Sequence, residues 1–491
     1  MKKKYSRKNF QKKSLKSKIR RNKNYFTILC IFSFGLIFQK ISFPVAKKHP
    51  THIDEITVVK VAYNIYKGEY NPEFFRYPAG HMNLLALIFK ISGIFADEIK
   101  IEDAYLISWF ISKIVIAAIP VLIFTICYIL STYSIGVIGG ILAIFSEIMI
   151  QYSQVTVVDI MLSFSCLSFF TVSAFYFKKS DISLRNIIIL SFIVGISTAM
   201  KYTAAILFLS LFLIIHRFIH QNHRFSGTKY FQIFFTCILG FVFFLIWSTI
   251  LVKEDLVFQE LTILTTDGII EPEYLNLLDN MFYIALSLSL MLLLIAYFIF
   301  KDKINGLDTF ISPVYLQSIA IAFFGFFLFS PYTIFEVKRS FADFMYEYRH
   351  MQIGSAAQYH HQSQEYYSII KNLNKFYPIR FYSKLLLNNF GKVGLLMAIF
   401  GIFGLMKKEK FIGKILLTFL FFMMFTILSW QNVADRYTLS ILPIFYILIP
   451  LGINWICVFF DKKVLPYQYS FAILSIATFF EPILRLYNKI G

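Results

Sequence analysis

Charged residues are scarce in this sequence. Asp, Glu, Lys and Arg make up 15% of its 491 residues, whereas hydrophobic residues make up 57% and aromatic residues 19%. Soluble globular domains are usually about a quarter charged, so this composition excludes an ordinary soluble globule. Apolar runs of about 20 residues, the length that crosses hydrocarbon as a helix, recur along nearly the whole chain. The sequence predicts an all-α polytopic membrane protein with about 12 to 13 transmembrane helices.

Cysteine is also rare, and the cysteines are isolated from one another. None belongs to a CxxC pair, so the sequence predicts no disulfide framework. Each lies inside an apolar run, which is typical of small core or lipid-facing residues. The five positions are Cys30, Cys127, Cys166, Cys237 and Cys457.

Acidic residues are absent from residues 1–24, which carry twelve Lys or Arg. A basic segment directly before the first apolar run is the positive-inside signal for a cytoplasmic N-terminus, and it also suits anionic lipid headgroups. No folded basic domain accompanies it, so we do not expect nucleic-acid binding. We divide the chain into a basic cytoplasmic tail, 1–24, and a transmembrane domain, 25–491, of a multi-pass protein in the cell membrane.

Basic residues lie on alternate connections between the predicted spans. With the N-terminus inside, connections such as the one at Lys407 and Lys408 are also inside. The same alternation puts three long loops outside, at 47–103, 253–279 and 331–388. The predicted spans are 26–46, 104–130, 133–150, 157–177, 186–200, 203–217, 231–252, 280–300, 309–330, 389–406, 411–430, 437–460 and 466–485.

Two of these spans, 186–200 and 203–217, are short and meet at Lys201 and Tyr202. They could be two crossings or one bent helix. A single helix would invert the side of every later connection. Because the later connections are basic on the predicted inner side, we expect two crossings.

The first outer loop has helical periodicity, which predicts two amphipathic helices at the membrane surface. The region 341–388 of the late outer loop predicts a similar helix. The two stripes of the first loop consist of Ile56, Val59, Ala62, Tyr63 and Tyr66, and of Leu84, Leu85, Leu87, Ile88 and Ile91.

Charged residues collect at the predicted outer ends of the spans. Asp54 and Glu55 open the first outer loop, Asp159 begins a span, Lys201 separates two spans and Arg436 begins another. Charges near hydrocarbon usually have a partner or a task, although the cost is smaller at a span end. Taken singly, the acids could cap a helix and the arginine could be an interfacial anchor. Their common side of the membrane predicts one shared site.

Several segments carry a family resemblance. HIDEITVVKVAYNIYKGEYNPEFFRYP contains an Asp-Glu pair, a Gly-x-x-Asn-Pro turn and an aromatic-Pro step. Further segments follow in order: QYSQVTVVDIMLSF, GISTAMKYTAAILF, SPYTIFEVKRSFADFMYEYRHMQIG and DRYTLSILPIF. Together, over residues 26–450, they resemble the class C glycosyltransferases related to the protein O-mannosyltransferases of family 39 and to the lipid A aminoarabinose transferase. The sequence departs at Arg76 and Tyr77, where the aminoarabinose transferases place a Lys. We also expect no soluble domain after the membrane part.

The resemblance implies a class C glycosyltransferase fold and a sugar donor carried on a polyisoprenyl phosphate. A hexosyl or pentosyl group would pass to an acceptor hydroxyl, which loses its proton as the phosphate leaves. By resemblance, Asp54 is the general base, Glu55 orients it or binds the acceptor, and Asp159 shares the acceptor or supports the developing positive charge. Lys201 and Arg436 are the candidates for the phosphate. The remaining candidates for the donor site are Arg76, Tyr77, His350 and Tyr437.

A divalent metal is compatible with these side chains, since His52, His350 and the three carboxylates are plausible ligands. The relatives are thought not to need a metal, and protein cations can replace it. We therefore predict no metal and no cofactor.

Other functions fit the same composition. A transporter or lipid-glycan flippase would also be apolar and basic inside, but transporters usually place ionisable groups near the midplane and often have paired repeats. A membrane glycan polymerase would have a similar outer cavity, and an inactive member of the fold could act as a scaffold. The sequence favours a glycosyltransferase acting on an unknown protein, lipid or glycan acceptor.

Overall fold

The computed structural model describes residues 2–42, 49–95, 98–178, 182–221, 313–336, 376–430, 432–461 and 466–490, and residues 339, 340, 343, 344, 347 and 351. Helices account for nearly all of this part of the chain. They are α1 Lys2–Ser42, α2 Ile53–Lys67, α3 Gly80–Gly93, α4 Ile101–Leu130, α5 Tyr133–Ile144, α6 Glu147–Tyr152, α7 Val158–Lys178, α8 Leu184–Met200, α9 Leu207–Gln221, α10 Pro313–Phe329, α11 Tyr332–Phe335, α12 Tyr377–Lys408, α13 Lys410–Ser429, α14 Leu442–Asp461 and α15 Tyr467–Ile490.

The helices confirm the predicted multi-pass membrane protein. Seven of the described helices are long and apolar enough to cross a membrane. The basic tail and the first span form one continuous helix, α1. The predicted span 133–150 is divided into α5, which ends at Ile144, and α6, whose N-cap Ser146 accepts the Met149 N–H through its hydroxyl. The predicted spans 231–252 and 280–300 and the loop 253–279 lie outside the described residues.

The two short spans form two separate helices, α8 and α9, and not one bent helix. Lys201 adopts an extended backbone (φ −157°, ψ 134°) between α8 and a 3₁₀ helix, Tyr202–Ile206, that leads into α9. At one end of the bundle Lys201 contacts Asp159 at the start of α7. At the other end Arg217 of α9 stacks over Phe177, near the last residue of α7. Helix α9 therefore runs in the same direction as α7. We call the end that carries Lys201 the site end.

Both predicted surface helices are present, but their buried faces differ from the predicted stripes. In α2 the buried apolar residues include Val58 and Ile65, whereas Ile56 is 43% exposed. In α3 they include Met82 and Phe89, whereas Leu87 is 54% exposed. The predicted stripes were wrong in part because the exposed face of each helix also carries apolar residues, beside lysines such as Lys60 and Lys90. One face packs on protein and the other remains exposed, as expected for a helix at a membrane surface.

The segment between α2 and α3 is fixed to the transmembrane helices at the site end. The Ala79 N–H donates to Ser330 Oγ at 2.8 Å, and the Asn83 amide donates to the Phe329 carbonyl at 2.8 Å. Gly80 lies so close to α8 that an added Cβ would be 2.3 Å from the Ala199 carbonyl oxygen. This close approach places the first loop directly over Lys201.

Helix α12 is broken at Gly391, two residues after the predicted start of the span 389–406. Gly391 has φ 65° and ψ 174°, a conformation that other residues rarely adopt. Glu481 of α15 lies against the break, where its Oε2 accepts the Lys392 N–H at 3.2 Å. The carboxylate thus replaces a backbone acceptor that the broken helix has lost.

We expect Gly391→Ala to destabilise the protein. The alanine would be strained at positive φ, and its Cβ would lie 2.3 Å from Glu481 Oε2. Strain of this kind costs about 1 to 3 kcal/mol. The measurement is the melting temperature of the purified protein in detergent. The control is Gly35→Ala in α1, where the new Cβ would be an ordinary 3.6 Å from Ala117. Equal melting temperatures for both variants would contradict the interpretation of the break.

Candidate active site

Asp54 and Arg436 form an ion pair at the site end. Asp54 lies in the first turn of α2, and Arg436 lies in a 3₁₀ helix, Asp435–Ser440, that precedes α14. A guanidinium nitrogen of Arg436 contacts Asp54 Oδ2, and the two side chains are 11% and 18% exposed. The carboxylate and the guanidinium of this pair come from opposite ends of the sequence. The small exposed area leaves both within reach of a molecule entering from the site end.

Asp159 and Lys201 form a second, more deeply buried pair. The Lys201 Nζ lies 2.6 Å from Asp159 Oδ1, and the side chains are 7% and 4% exposed. Asp159 is in the first turn of α7, where a carboxylate is stabilised by the helix N-terminus. Lys201 reaches it because the extended backbone after α8 directs the side chain back into the bundle.

Two tyrosines connect the ion pairs. Tyr77 donates its hydroxyl to Asp54 Oδ2 at 3.2 Å, and Lys201 Nζ lies 5.7 Å from the centroid of its ring. Tyr437 lies on the other side, with Lys201 Nζ 5.2 Å from its ring and Arg436 donating to its hydroxyl at 3.4 Å. We call the group formed by Asp54, Tyr77, Asp159, Lys201, Arg436 and Tyr437 the polar cluster. Residues from five distant segments therefore meet in one place.

Glu55 does not belong to the polar cluster. It is fully buried, and its carboxylate accepts the indole N–H of Trp109 and the backbone N–H of Thr156 at 3.0 Å. A third donor is the Thr51 N–H at 3.2 Å. These contacts tie α2 to α4 and to the chain just before α7. Glu55 therefore holds the start of α2 against the transmembrane helices.

The 3₁₀ helix that carries Arg436 is itself fixed by a carboxylate. Asp435 Oδ1 accepts the Tyr152 hydroxyl at 2.6 Å and the Arg436 N–H at 2.9 Å. Tyr152 is the last residue of α6, so the interruption between α5 and α6 brings this hydroxyl to the site. Both residues lie in segments that carry the family resemblance, but the sequence analysis did not single out either of them.

The late outer loop contributes Glu347, which the sequence analysis missed. Burial raises the pKa of Glu347, and the charges of Lys201 and Arg76 partly offset that effect. Arg76 is half-buried, and its charge also acts on Asp343, whose carboxylate accepts the Phe75 N–H at 2.7 Å. The i, i+4 spacing of the two acids was the available signal, because it puts them on one helical face. His350 lies outside the described residues.

His52 was considered only as a metal ligand, but it is in contact with the polar cluster. Its Nδ1 accepts the Asp54 N–H at 3.1 Å, and its Nε2 lies 2.9 Å from Arg436 Nη1. In the part of the chain that the structure describes, no group of three or more His, Cys, Asp or Glu residues is arranged to hold a metal ion.

Comparison with solved structures identifies the fold. The archaeal oligosaccharyltransferase AglB from Archaeoglobus fulgidus, in complex with an inhibitory peptide and a dolichol-phosphate, matches with a TM-score of 0.50 at 12% identity, over 95% of this chain and 56% of that chain. The A. fulgidus enzyme tethered with an acceptor peptide matches with a TM-score of 0.49 at 11% identity, over 94% of this chain and 55% of that chain. The chain thus spans about half the length of these proteins.

No family model and no curated protein matches the sequence. The fold is nevertheless that of the class C glycosyltransferases, as the sequence predicted, on the basis of the 0.50 match. The assignment to family 39 stays a prediction.

Proposed function

We propose that this chain is a membrane glycosyltransferase that moves a sugar from a polyisoprenyl-phosphate donor to an acceptor hydroxyl at the outer face of the membrane. The observation that carries the proposal is the polar cluster, in which two carboxylates and two cations from distant segments converge at one end of a class C glycosyltransferase fold. Fold alone does not assign an activity, so the proposal rests on the chemistry of the polar cluster.

In the proposed reaction Asp54 accepts the proton of the acceptor hydroxyl. The acceptor oxygen forms a bond to the anomeric carbon while the bond from that carbon to the phosphate oxygen breaks, and the electron pair leaves with the phosphate. The lipid phosphate gains negative charge in this step. Lys201 and Arg436 stabilise that charge, the arginine through a planar pair of donors and the lysine as a point charge.

The two ion pairs suggest how binding of the donor phosphate frees Asp54 to act as the base. Before the donor arrives, Arg436 holds Asp54 in an ion pair. A phosphate that binds Arg436 competes for the same guanidinium and leaves Asp54 free to accept a proton. Asp159 keeps its own partner, Lys201, at 2.6 Å, so we propose that it positions the lysine instead of contacting the acceptor.

The solved archaeal oligosaccharyltransferase binds a dolichol-phosphate and an inhibitory peptide. This supports a lipid phosphate as the donor carrier and a protein as one acceptor class for the present chain. The hydroxyl acceptor and the single-sugar donor rest on the resemblance to family 39. A flippase is less well supported, because the cluster lies at the ends of α7 and α8 and not midway along them.

The test is to incubate the purified protein with a panel of polyprenyl-phosphate hexoses and pentoses and with hydroxyl-bearing peptides, lipids and glycans. We expect release of polyprenyl phosphate with at least one donor. The control is protein carrying Arg436→Ala, which should release none. Movement of intact lipid-linked sugar across proteoliposomes, without release of polyprenyl phosphate from any donor, would favour the flippase.

A further inference from the structure

The late outer loop carries Glu347 on a face that packs on the protein. The described residues between 339 and 351 have helical backbone, and Asp343, Glu347 and Met351 follow one another at the four-residue spacing of one helical face. Asp343 and Met351 are buried, with 8% and 5% of their surface exposed. Glu347 is half-buried between them, which leaves part of the residue accessible.

One end of this segment is fixed to the first outer loop beside Lys201. Asp343 Oδ2 accepts the Phe75 N–H at 2.7 Å. The ring of Phe344 meets the ring of Tyr202 with a centroid distance of 5.3 Å, and the Tyr202 hydroxyl donates to the Phe75 carbonyl at 3.2 Å. Tyr202 directly follows Lys201, so these contacts hold the segment next to the buried lysine.

The other end of the segment is fixed to the chain before Arg436. The Met351 carbonyl accepts the Asn432 N–H at 3.1 Å, and the side-chain amide of Asn432 lies 3.7 Å from Met351 Sδ. Asn432 is four residues before Arg436. Glu347 lies one helical turn from each attachment. The two attachments therefore place it over the polar cluster.

The charges around Glu347 agree with this position. Burial raises the pKa of Glu347, Asp54 acts in the same direction, and Lys201, Arg76 and Arg436 act in the opposite direction. Its charge also acts on both tyrosines of the polar cluster. Glu347 is thus within electrostatic reach of the proposed base and of both proposed phosphate ligands.

The two cations of the polar cluster have other partners. Lys201 pairs with Asp159, and Arg436 pairs with Asp54. Two carboxylates already balance two cations there, so Glu347 brings a third acid to a cluster that is neutral without it. An acid that is kept at a charged site against the cost of burial is a candidate for contact with substrate.

A sugar hydroxyl fits this acid better than a phosphate does. A carboxylate repels the negative oxygens of a phosphate, whereas its two oxygens accept hydrogen bonds from hydroxyl groups. In the proposed reaction the sugar is bonded to the phosphate that Lys201 and Arg436 hold, and its anomeric carbon faces the acceptor beside Asp54. A residue within reach of all three groups borders the space that the sugar ring needs.

We propose that Glu347 binds a hydroxyl group of the donor sugar and so determines which sugars are transferred. The inference rests on the proposed function, because it takes a lipid-linked sugar as the ligand. A hydrogen bond from the sugar to Glu347 orients the anomeric carbon between Asp54 and the phosphate. A site that binds a particular hydroxyl rejects sugars that lack it.

The test measures dissociation constants of purified protein in detergent, so it does not depend on transfer. The ligands are the polyprenyl-phosphate hexose or pentose that wild type binds most tightly, its monodeoxy analogues, and polyprenyl phosphate without a sugar. The variants are Glu347→Ala and Glu347→Gln, the second of which keeps one acceptor oxygen and nearly the same shape. Glu73→Gln is the matched control, since Glu73 is an exposed acid of the first outer loop.

We expect wild type and Glu73→Gln to bind one monodeoxy analogue at least tenfold more weakly than the complete donor, the effect of one hydrogen bond to a charged group. Glu347→Ala should bind the complete donor about tenfold more weakly than wild type does, and should bind that analogue and the donor within about threefold of each other. Glu347→Gln should lose less affinity, and for the same hydroxyl. All four proteins should bind polyprenyl phosphate without a sugar within about threefold of one another.

Two outcomes would overturn the inference. Glu347→Ala could keep the wild-type penalty for every missing hydroxyl, or it could lose affinity equally for the lipid-linked sugar and for polyprenyl phosphate. The second result would show that Glu347 acts on the phosphate site or on the loop. If Glu347→Ala did not fold, Glu347→Gln would decide by the same criteria.

The inference and the proposed function can fail separately. Binding of lipid-linked sugars by wild type without transfer from any donor would contradict the proposed function alone. Transfer by wild type, with the same dependence on each hydroxyl in Glu347→Ala, would end the inference alone. If wild type bound no lipid-linked sugar at all, both would fail.

Discussion

Replacement of Asp54 by Asn is expected to reduce sugar transfer by about a thousandfold, within the range for loss of a general base. Asn has nearly the same shape as Asp, so it can keep the contact with the Tyr77 hydroxyl, but it cannot accept the proton of the acceptor. The measurement is the rate of polyprenyl phosphate release with the best donor at saturating concentration. Because the change acts on the chemical step, kcat should fall much more than the KM for the donor changes.

Asp103→Asn is the control for this substitution. Asp103 also lies in the first turn of a helix at the site end, but it is exposed and accepts the Lys100 N–H. We expect its activity to remain within about twofold of wild type, as for most exposed changes. The purified Asp54 variant should elute as wild type does in size exclusion. A correctly folded Asp54→Asn protein with most of its activity would show that another group accepts the proton.

The buried pair of Asp159 and Lys201 is expected to give the largest change in stability. Removing one charge leaves the other buried without a partner, which costs about 3 to 5 kcal/mol. We therefore expect Asp159→Leu and Lys201→Met each to lower the melting temperature strongly. The double variant should recover most of the loss, because two apolar side chains replace two charges, but it should have no transferase activity. Recovered folding without activity separates the structural role of the pair from its role in binding phosphate.

An exposed ion pair provides the comparison. Lys67 contacts Glu98 with side chains that are 38% and 68% exposed, so solvent screens both charges. Glu98→Gln should change the melting temperature very little. If Lys201→Met were no more destabilising than Glu98→Gln, the buried pair would not contribute as its burial suggests. If the double variant retained activity, Lys201 would not be a phosphate ligand.

Helix positions were largely predictable from the sequence because they depend on local patterns. Apolar runs define the spans. The motif around Asp54 and Glu55 predicted a helix, which in the structure begins at Ile53. Periodicity was less informative where apolar residues lie on both faces of a helix. In α2 the predicted stripe included Ile56, which is exposed, because the pattern does not distinguish a face that packs on protein from one that meets lipid.

Only part of the candidate site could be predicted from the sequence. Charges at span ends can be found by inspection, and the convergence of Asp54, Asp159, Lys201 and Arg436 agrees with that selection. The particular side-chain pairs formed between distant segments could not be predicted. Glu55 was grouped with Asp54, yet adjacent residues on a helix point in different directions, so one carboxylate enters the polar cluster and the other meets Trp109. His52 was missed as a partner because Arg436 is 384 residues away.

The sequence by itself determined that this chain crosses the membrane many times and which charged residues stand at the ends of the spans. Both properties follow from the cost of exposing backbone and charge to hydrocarbon, which each segment experiences separately. Only the tertiary structure decided which carboxylate faces which cation, where α12 breaks, and that the imidazole of His52 contacts Arg436. Those choices depend on contacts among segments remote in sequence, and such contacts exist only after the helices have packed.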